Sequence, residues 1–295
     1  MYERNFGYLI LAGGENRRMG GSSKLFMEIG GVRQLERLRA LAGAAECQLS
    51  EDIIEEGGTE RLPHQNSALK PGNQLCTEQR WVEDENAMEV YRQPSLWLSV
   101  RGAQGPQYAQ YQSAGLPLIA DEKPGLGPLG GIASGLRQSG AEALLVLPCD
   151  QFGLQPVHLT ALVKQYQKSG KAVFWHQMAY EDGGAPESCE ALTFQEERKE
   201  KETKKRRGIV PFPGLYTAAL LPLIDRALLQ GKGSLRRLIA EAVEVKGAEL
   251  LSLPPELDTF YNVNTPQARE QMEDFVRTAK SPVPFGYERH GVTFT

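Results

Sequence analysis

The sequence has few of the residues that bind zinc or form disulfides. Its 295 residues include only four cysteines and four histidines, and both types are dispersed along the chain. No two cysteines form a CxxC pair, so the usual zinc patterns are excluded and no disulfide framework is evident. We therefore expect a reducing compartment, the cytoplasm.

Long apolar runs and an excess of positive charge are also missing. No stretch approaches the roughly 18 apolar residues that span a bilayer. The first apolar segment follows Glu3 and Arg4 and ends in a glycine-rich loop, so we expect no secretory signal. The net charge is −4, from 33 basic and 37 acidic residues. These features argue against nucleic-acid and membrane partners.

Alternating strand and helix patterns are present and predict the fold. Short apolar segments that end in turns predict strands in "FGYLILAGG", "SLWLSVRG", "GLPLIADE", "AEALLVLPCD", "KAVFWH" and "ELLSLP". Helical spacing follows most of them, with Ser234 and Thr265 as N-caps of the last two helices. This order predicts a three-layer α/β fold: a doubly wound, mainly parallel sheet with helices on both faces. In "GIVPFPGLYT", Pro211 and Pro213 favour an edge strand.

Two segments interrupt this rhythm, and we predict one domain over residues 1–279 with insertions at about 43–94 and 181–208. Residues 42–94 contain 11 acidic and 4 basic residues and few periodic apolar positions. The run "EERKEKETKKRR", residues 196–207, is either a solvated loop or a segment that binds phosphate or a partner. Residues 280–295 are expected to form a flexible tail.

The stretch "LAGGENRRMGGSSK" directly after the first strand is typical of a phosphate-binding loop. It matches neither the Walker loop nor the dinucleotide fingerprint. Its glycines nevertheless allow backbone N–H groups to approach an anion, and Arg17, Arg18 and Lys24 add positive charge. The alternative is a glycine-rich turn with surface cations.

Polar residues follow three other strands. Asp150 ends "LLVLPCD", where one carboxylate together with substrate phosphates could hold Mg²⁺. Asp121 begins the glycine-rich "DEKPGLGPLGGI", whose glycines suggest a backbone wrapped closely around a ligand. Asn262 and Asn264 alternate in "NVNTP" and could bind metal or substrate. The structural alternatives for the three motifs are a capping aspartate, a flexible connection and Asx turns, respectively.

Together, these four motifs resemble those of the molybdenum cofactor guanylyltransferases, a branch of the nucleotidyltransferase superfamily. "LAGGENRRMGGSSK" is similar to the family's LAGGxSxRMGxxK signature, and "DEKPGLGPLGGI" to its PGPLxGI segment. "LPCD" and "NVNTP" match the metal aspartate and the C-terminal motif, in the same order along the chain. The resemblance implies a nucleotidyltransferase-like fold. It also implies transfer of GMP from GTP to the terminal phosphate of molybdopterin, with release of pyrophosphate.

The resemblance also implies roles for individual residues. Arg18 and Lys24 would hold the triphosphate, Asp150 would coordinate Mg²⁺, and Asn262 and Asn264 would face the pterin, with Asn264 helping with the metal. The remaining nucleotide contacts would come from Leu11, Ala12, Gly13, Gly14, Ser99 and Asp121. Molybdoenzymes or cofactor-delivery proteins would be further partners.

This sequence departs from the family pattern after the metal aspartate, where Phe152 replaces the usual proline. Three other functions stay open at this point. The chain could be a molybdopterin cytidylyltransferase, another nucleotidyltransferase such as a sugar-phosphate enzyme, or a non-catalytic nucleotide-sensing or cofactor-delivery protein. The presence of both Lys24 and Asp150 favours an enzyme, because both positions would be free to change in a protein that only binds its ligand.

Overall fold

The computed structural model of the chain describes residues 4–12, 23–56, 95–102, 106–177, 208–231, 233–254, 261–263 and 265–278. The predicted tail beyond residue 279 lies outside these ranges, as do residues 57–94 and 181–207 of the two predicted insertions. Within them, no helix is both long and apolar enough to span a membrane.

The described residues form eleven strands and seven α-helices. The strands are β1 (Phe6–Leu11), β2 (Glu28–Ile29), β3 (Val32–Arg33), β4 (Leu96–Val100), β5 (Leu118–Ala120), β6 (Ala143–Pro148), β7 (Gln151–Phe152), β8 (Ala172–Gln177), β9 (Ile209–Thr217), β10 (Ala248–Leu253) and β11 (Tyr261–Asn262). The helices are α1 (Gln34–Glu56), α2 (Pro106–Gln112), α3 (Gly127–Gln138), α4 (Pro156–Ser169), α5 (Leu221–Leu229), α6 (Leu235–Glu244) and α7 (Pro266–Thr278).

Seven strands form the central sheet, in the order β10-β8-β9-β6-β1-β4-β5. The pairs among β6, β1, β4 and β5 are parallel, as is the pair of β8 and β10. Only β9 is antiparallel to its neighbours in this sheet. The mainly parallel sheet is therefore confirmed, and the carboxyl ends of six strands meet at one edge.

Helices cover both faces of this sheet, which confirms the three-layer prediction. Adjacent residues of β6 point to opposite faces: Leu145 and Leu147 pack into one core, and Leu144 and Val146 into the other. The first core is completed by α1, α2 and α4, and the second by α3, α5 and α6. Because both faces are covered, the strands are apolar along their whole length rather than at alternate positions.

The predicted helix starts for the last two helices are confirmed. The Ser234 hydroxyl accepts a hydrogen bond from the backbone N–H of Arg237 at 3.5 Å. The Thr265 hydroxyl accepts one from the backbone N–H of Ala268 at 3.1 Å, and Pro266 is the first residue of α7. Each cap satisfies a backbone donor that has no partner within its helix.

The edge position predicted for β9 from its two prolines is wrong. This strand lies inside the sheet, between β6 and β8. Its pairing with β8 runs through Gly214 opposite Phe174 and then resumes at Val210 opposite Trp175. Pro211 to Pro213 therefore fall in an irregularity between two paired stretches, where a missing N–H removes no ladder hydrogen bond.

The predicted start of the first insertion, at about residue 43, is also wrong. Helix α1 continues to Glu56, and its residues Ala45 and Leu49 are buried in the core. The Tyr8 hydroxyl also donates a hydrogen bond to Glu46 at 2.9 Å. The acidic residues of this segment concealed a buried stripe at helical spacing, which continues the one begun by Leu38.

The connection between β8 and β9 begins and ends at two residues that are hydrogen-bonded to each other. The backbone N–H of Gln177, the last residue of β8, donates to the carbonyl of Gly208 at 2.7 Å. Gly208 has φ +82°, a conformation that favours glycine. The chain therefore leaves and rejoins the sheet through two hydrogen-bonded residues.

Candidate active site

The carboxyl ends of β1, β4, β5 and β6 bring five of the predicted site residues to one edge of the sheet. Leu11 pairs with Ser99 on β4 and with Pro148 on β6. Ala12 follows β1, Asp121 follows β5, and Asp150 lies two residues after β6. Ligands of open α/β sheets bind at this edge, so the positions agree with a nucleotide site.

Lys24 and Asp150 form an ion pair at this edge. The Lys24 ammonium lies 3.8 Å from Asp150 Oδ2, and the two side chains are 14% and 30% exposed. Lys24 begins a short 3₁₀ helix, Lys24–Phe26, which is held in the core by the fully buried Leu25. The sequence thus places a cation from the first motif against the carboxylate of the third.

The loop that carries Asp150 is fixed from two directions. The backbone N–H of Val263 donates to the Asp150 carbonyl at 2.8 Å, and the Gln34 side chain donates to the Gln151 carbonyl at 2.9 Å. Phe152, at which this sequence departs from the pattern that it resembles, is buried against residues of the β2–β3 hairpin and of α7. Its side chain anchors the loop in this small core.

The C-terminal motif lies beside this loop. Strand β11 pairs with β7, and this pairing sets Asn262 opposite Gln151, the residue after Asp150. Asn262 is exposed, so it is open to a ligand at the edge of the site. The other predicted site residues, Gly13, Gly14, Arg18 and Asn264, lie outside the described residues.

Cys149 precedes the aspartate but is not a reactive thiol. Burial, and secondarily the charge of Asp150, raises its pKa to about 12. Because the thiolate is the nucleophilic form of cysteine, this group stays inert at neutral pH.

A second group of side chains lies on the other side of β1, around Asp121. Burial raises the pKa of Asp121 to about 6, partly offset by a hydrogen bond from Ser99 and the charge of Arg101. Ser99 is 2% exposed, so its hydroxyl serves Asp121 rather than solvent. Asp121 Oδ1 is buried and has no hydrogen-bond partner among the described residues. An unpaired carboxylate oxygen of this kind is suited to a ligand donor.

Gly131, from the glycine-rich segment, packs directly on this group. A Cβ at this position would lie 2.6 Å from Ser99 Oγ and 3.3 Å from Asp121 Oδ1. The glycine therefore leaves the space that the Ser99 and Asp121 side chains occupy.

Tyr111 is a site residue that the sequence analysis missed. Its hydroxyl lies 3.0 Å from the Ala12 carbonyl and 3.1 Å from Ser23 Oγ. It belongs to α2, a two-turn helix whose pattern was not recognised as helical. The signal available was the pair of tyrosines at helical spacing, Tyr108 and Tyr111, before the turn at Gly115.

Among the described residues, no group of three or more histidine, cysteine, aspartate or glutamate side chains could hold a metal.

The fold is that of the α/β nucleotidyltransferases. CMP:2-keto-3-deoxy-manno-octonic acid synthetase, in a structure with CTP, shares this fold with a TM-score of 0.52 at 12% identity, over 92% of this chain and 98% of that one. Residues 85–245, just over half of the chain, match the MobA-like NTP transferase domain. The chain belongs to that family.

Two curated relatives are named as a molybdenum cofactor guanylyltransferase and a probable one. A molybdenum cofactor guanylyltransferase of Cereibacter sphaeroides is 32% identical over 150 residues, 50% of this chain and 50% of that protein. A probable molybdenum cofactor guanylyltransferase of Methanothermobacter thermautotrophicus is 25% identical over 150 residues, 51% of this chain and 63% of that protein. The chain thus spans about half to two thirds of the length of these relatives.

Proposed function

We propose that this protein transfers GMP from GTP to the terminal phosphate of molybdopterin and releases pyrophosphate. The observation that carries this proposal is the ion pair of Lys24 and Asp150 at the carboxyl edge of the sheet. The names of the two relatives supply the substrates, and membership of the NTP transferase family supplies the reaction class.

Nucleotidyl transfer needs positioning and charge stabilisation more than covalent work by the protein. An oxygen of the acceptor phosphate would form a bond to the α-phosphorus of GTP. The bond from that phosphorus to the bridging oxygen would break, and pyrophosphate would leave with the electron pair. The Lys24 ammonium would offset negative charge on the leaving group. The acceptor phosphate is already ionised, so no general base is needed.

The residues present are compatible with Mg²⁺. Mg²⁺ usually binds through one or two carboxylates plus substrate phosphates, and Asp150 is a partly exposed carboxylate at the expected place. Asp150 would hold the ion, with Asn262 nearby. When bound, Mg²⁺ would neutralise charge on the triphosphate. Lys24 would then turn from the carboxylate to the phosphates.

The surroundings of Asp121 support guanine as the base. Guanine presents two neighbouring N–H donors on its pairing edge, N1–H and N2–H, whereas cytosine presents one donor beside an acceptor. A carboxylate accepts two parallel hydrogen bonds readily. The buried, unpaired Oδ1 of Asp121 would gain a partner from guanine. We further expect molybdoenzymes or delivery proteins to receive the product in the cytoplasm.

The test is initial pyrophosphate release with each of the four NTPs, in the presence of molybdopterin and Mg²⁺. We expect kcat/KM for GTP to exceed that for CTP by about 100-fold or more. A preference for CTP would contradict the guanylyl assignment but keep the reaction class. Tight nucleotide binding without turnover would instead identify a non-catalytic delivery protein.

A further inference from the structure

The hydroxyl of Tyr111 contacts the two residues that flank the stretch 13–22. The Ala12 carbonyl can only accept a hydrogen bond, and the Tyr111 hydroxyl has one proton. Tyr111 therefore donates to Ala12 at 3.0 Å and accepts from Ser23 Oγ at 3.1 Å. All three residues are buried. One side chain thus connects the end of β1 to the residue before Lys24.

The position of the Tyr111 hydroxyl is itself fixed. Its ring stacks on Phe26, with centroids 5.9 Å apart and an angle of 26° between the planes. Phe26 lies in the same short helix as Lys24. Burial also raises the pKa of Tyr111, which keeps the hydroxyl protonated as a donor. Ring and hydroxyl therefore hold the helix of Lys24 and the end of β1 in one arrangement.

We infer that Tyr111 is a positioning residue for nucleotide binding, because it fixes the short helix that carries Lys24 against Ala12, at the end of β1. A side chain that is held in place before the ligand arrives loses less conformational freedom on binding. Such preorganisation raises affinity for the ligand. The part of this inference that concerns nucleotide rests on the proposed function.

The test variant is Tyr111→Phe, which removes the hydroxyl and keeps the stacked ring. The matched control is Tyr216→Phe, which removes another buried hydroxyl, one that donates to the Pro211 carbonyl at 3.2 Å on the opposite face of the sheet. We expect Tyr111→Phe to raise KM for GTP about three- to ten-fold, with a smaller change in kcat. Tyr216→Phe should leave KM unchanged, and Ser23→Ala should act in the same direction as Tyr111→Phe.

A second measurement does not depend on the reaction. Reaction of lysine side chains with acetic anhydride, followed by peptide mass analysis, gives the rate at which Lys24 is modified. We expect this rate to be about three- to ten-fold higher in Tyr111→Phe than in the wild type or in Tyr216→Phe. A Lys24 modification rate and a KM at wild-type values in Tyr111→Phe would overturn the inference, and so would equal changes in both tyrosine variants. If the wild type turns over no nucleotide, the proposed function fails, but the Lys24 comparison still decides the role of Tyr111.

Discussion

Gly131 of α3 lies so close to Ser99 of β4 that adding a methyl group to the glycine would push the two elements apart. Its ideal Cβ position is 2.6 Å from Ser99 Oγ, well inside van der Waals contact. We expect Gly131→Ala to displace Ser99 and Asp121, to destabilise the fold by about 1–3 kcal/mol, and to weaken GTP binding.

The control for this substitution is Gly43→Ala, in the middle of α1, where a Cβ meets no atom within 4 Å. We expect this change to stabilise the fold by about 0.5–1 kcal/mol, because alanine favours helix over glycine. Urea denaturation and KM for GTP measure both effects. Equal behaviour of the two alanine variants would contradict the proposed packing role of Gly131.

Asp150→Asn is expected to fold normally and to lose about 100-fold or more of kcat. The substitution removes the charge that would hold Mg²⁺ and that pairs with Lys24, while the side chain keeps its size. Its control is Asp225→Asn, which removes another partly exposed carboxylate, one paired with Arg137 on α3. Near wild-type kcat at low millimolar Mg²⁺ would show that Asp150 is not the metal ligand.

The stability of the protein should decrease with rising pH across the titration of Asp121. The pKa of this group is about 6 in the folded protein, above the roughly 3.9 of an unfolded aspartate. Between these values the folded state binds more protons than the unfolded state, so the free energy of unfolding falls as pH rises.

Asp121→Asn removes this titration. We therefore expect its Tm, relative to wild type, to be higher at pH 7.5 than at pH 4.5. In the wild type, KM for GTP should also rise as pH falls through about 6, because protonation removes the acceptor charge. A Tm difference that stays constant with pH would contradict the assignment of this pKa.

Leu49→Ala should cost about 2–5 kcal/mol of unfolding free energy, although its position lies in the segment first predicted to be an insertion. Leu49 is 2% exposed and packs in the core shared by α1, α4 and the sheet. Glu51→Ala, on the exposed side of the same helix, should change stability by less than about 0.5 kcal/mol. Similar small effects in both variants would show that the core ends before residue 49.

The sequence predicted the layers of the fold because its strands are short continuous apolar runs, whereas its helices carry apolar residues at helical spacing. It also predicted that Lys24, Asp121 and Asp150 lie at one edge of the sheet. Asp121 and Asp150 each follow a parallel strand, and Lys24 belongs to the motif directly after β1. Pairing between distant segments was harder to predict. Two prolines suggested an edge, but the irregularity at Pro211–Pro213 accommodates them inside the sheet. Tyr111 was missed because its role depends on tertiary contacts with Ala12 and Ser23, which no local pattern reveals.

The hydrogen bond between Gln177 and Gly208 has a consequence for how this chain can vary in length. Since the connection from β8 to β9 starts and finishes at paired residues, its length does not alter the register of the two strands. The entropy of closing such a connection grows only with the logarithm of its length. This junction is therefore a natural point for gaining or losing sequence during evolution, and a suitable place to graft a reporter without moving Asp150, which follows the neighbouring strand β6.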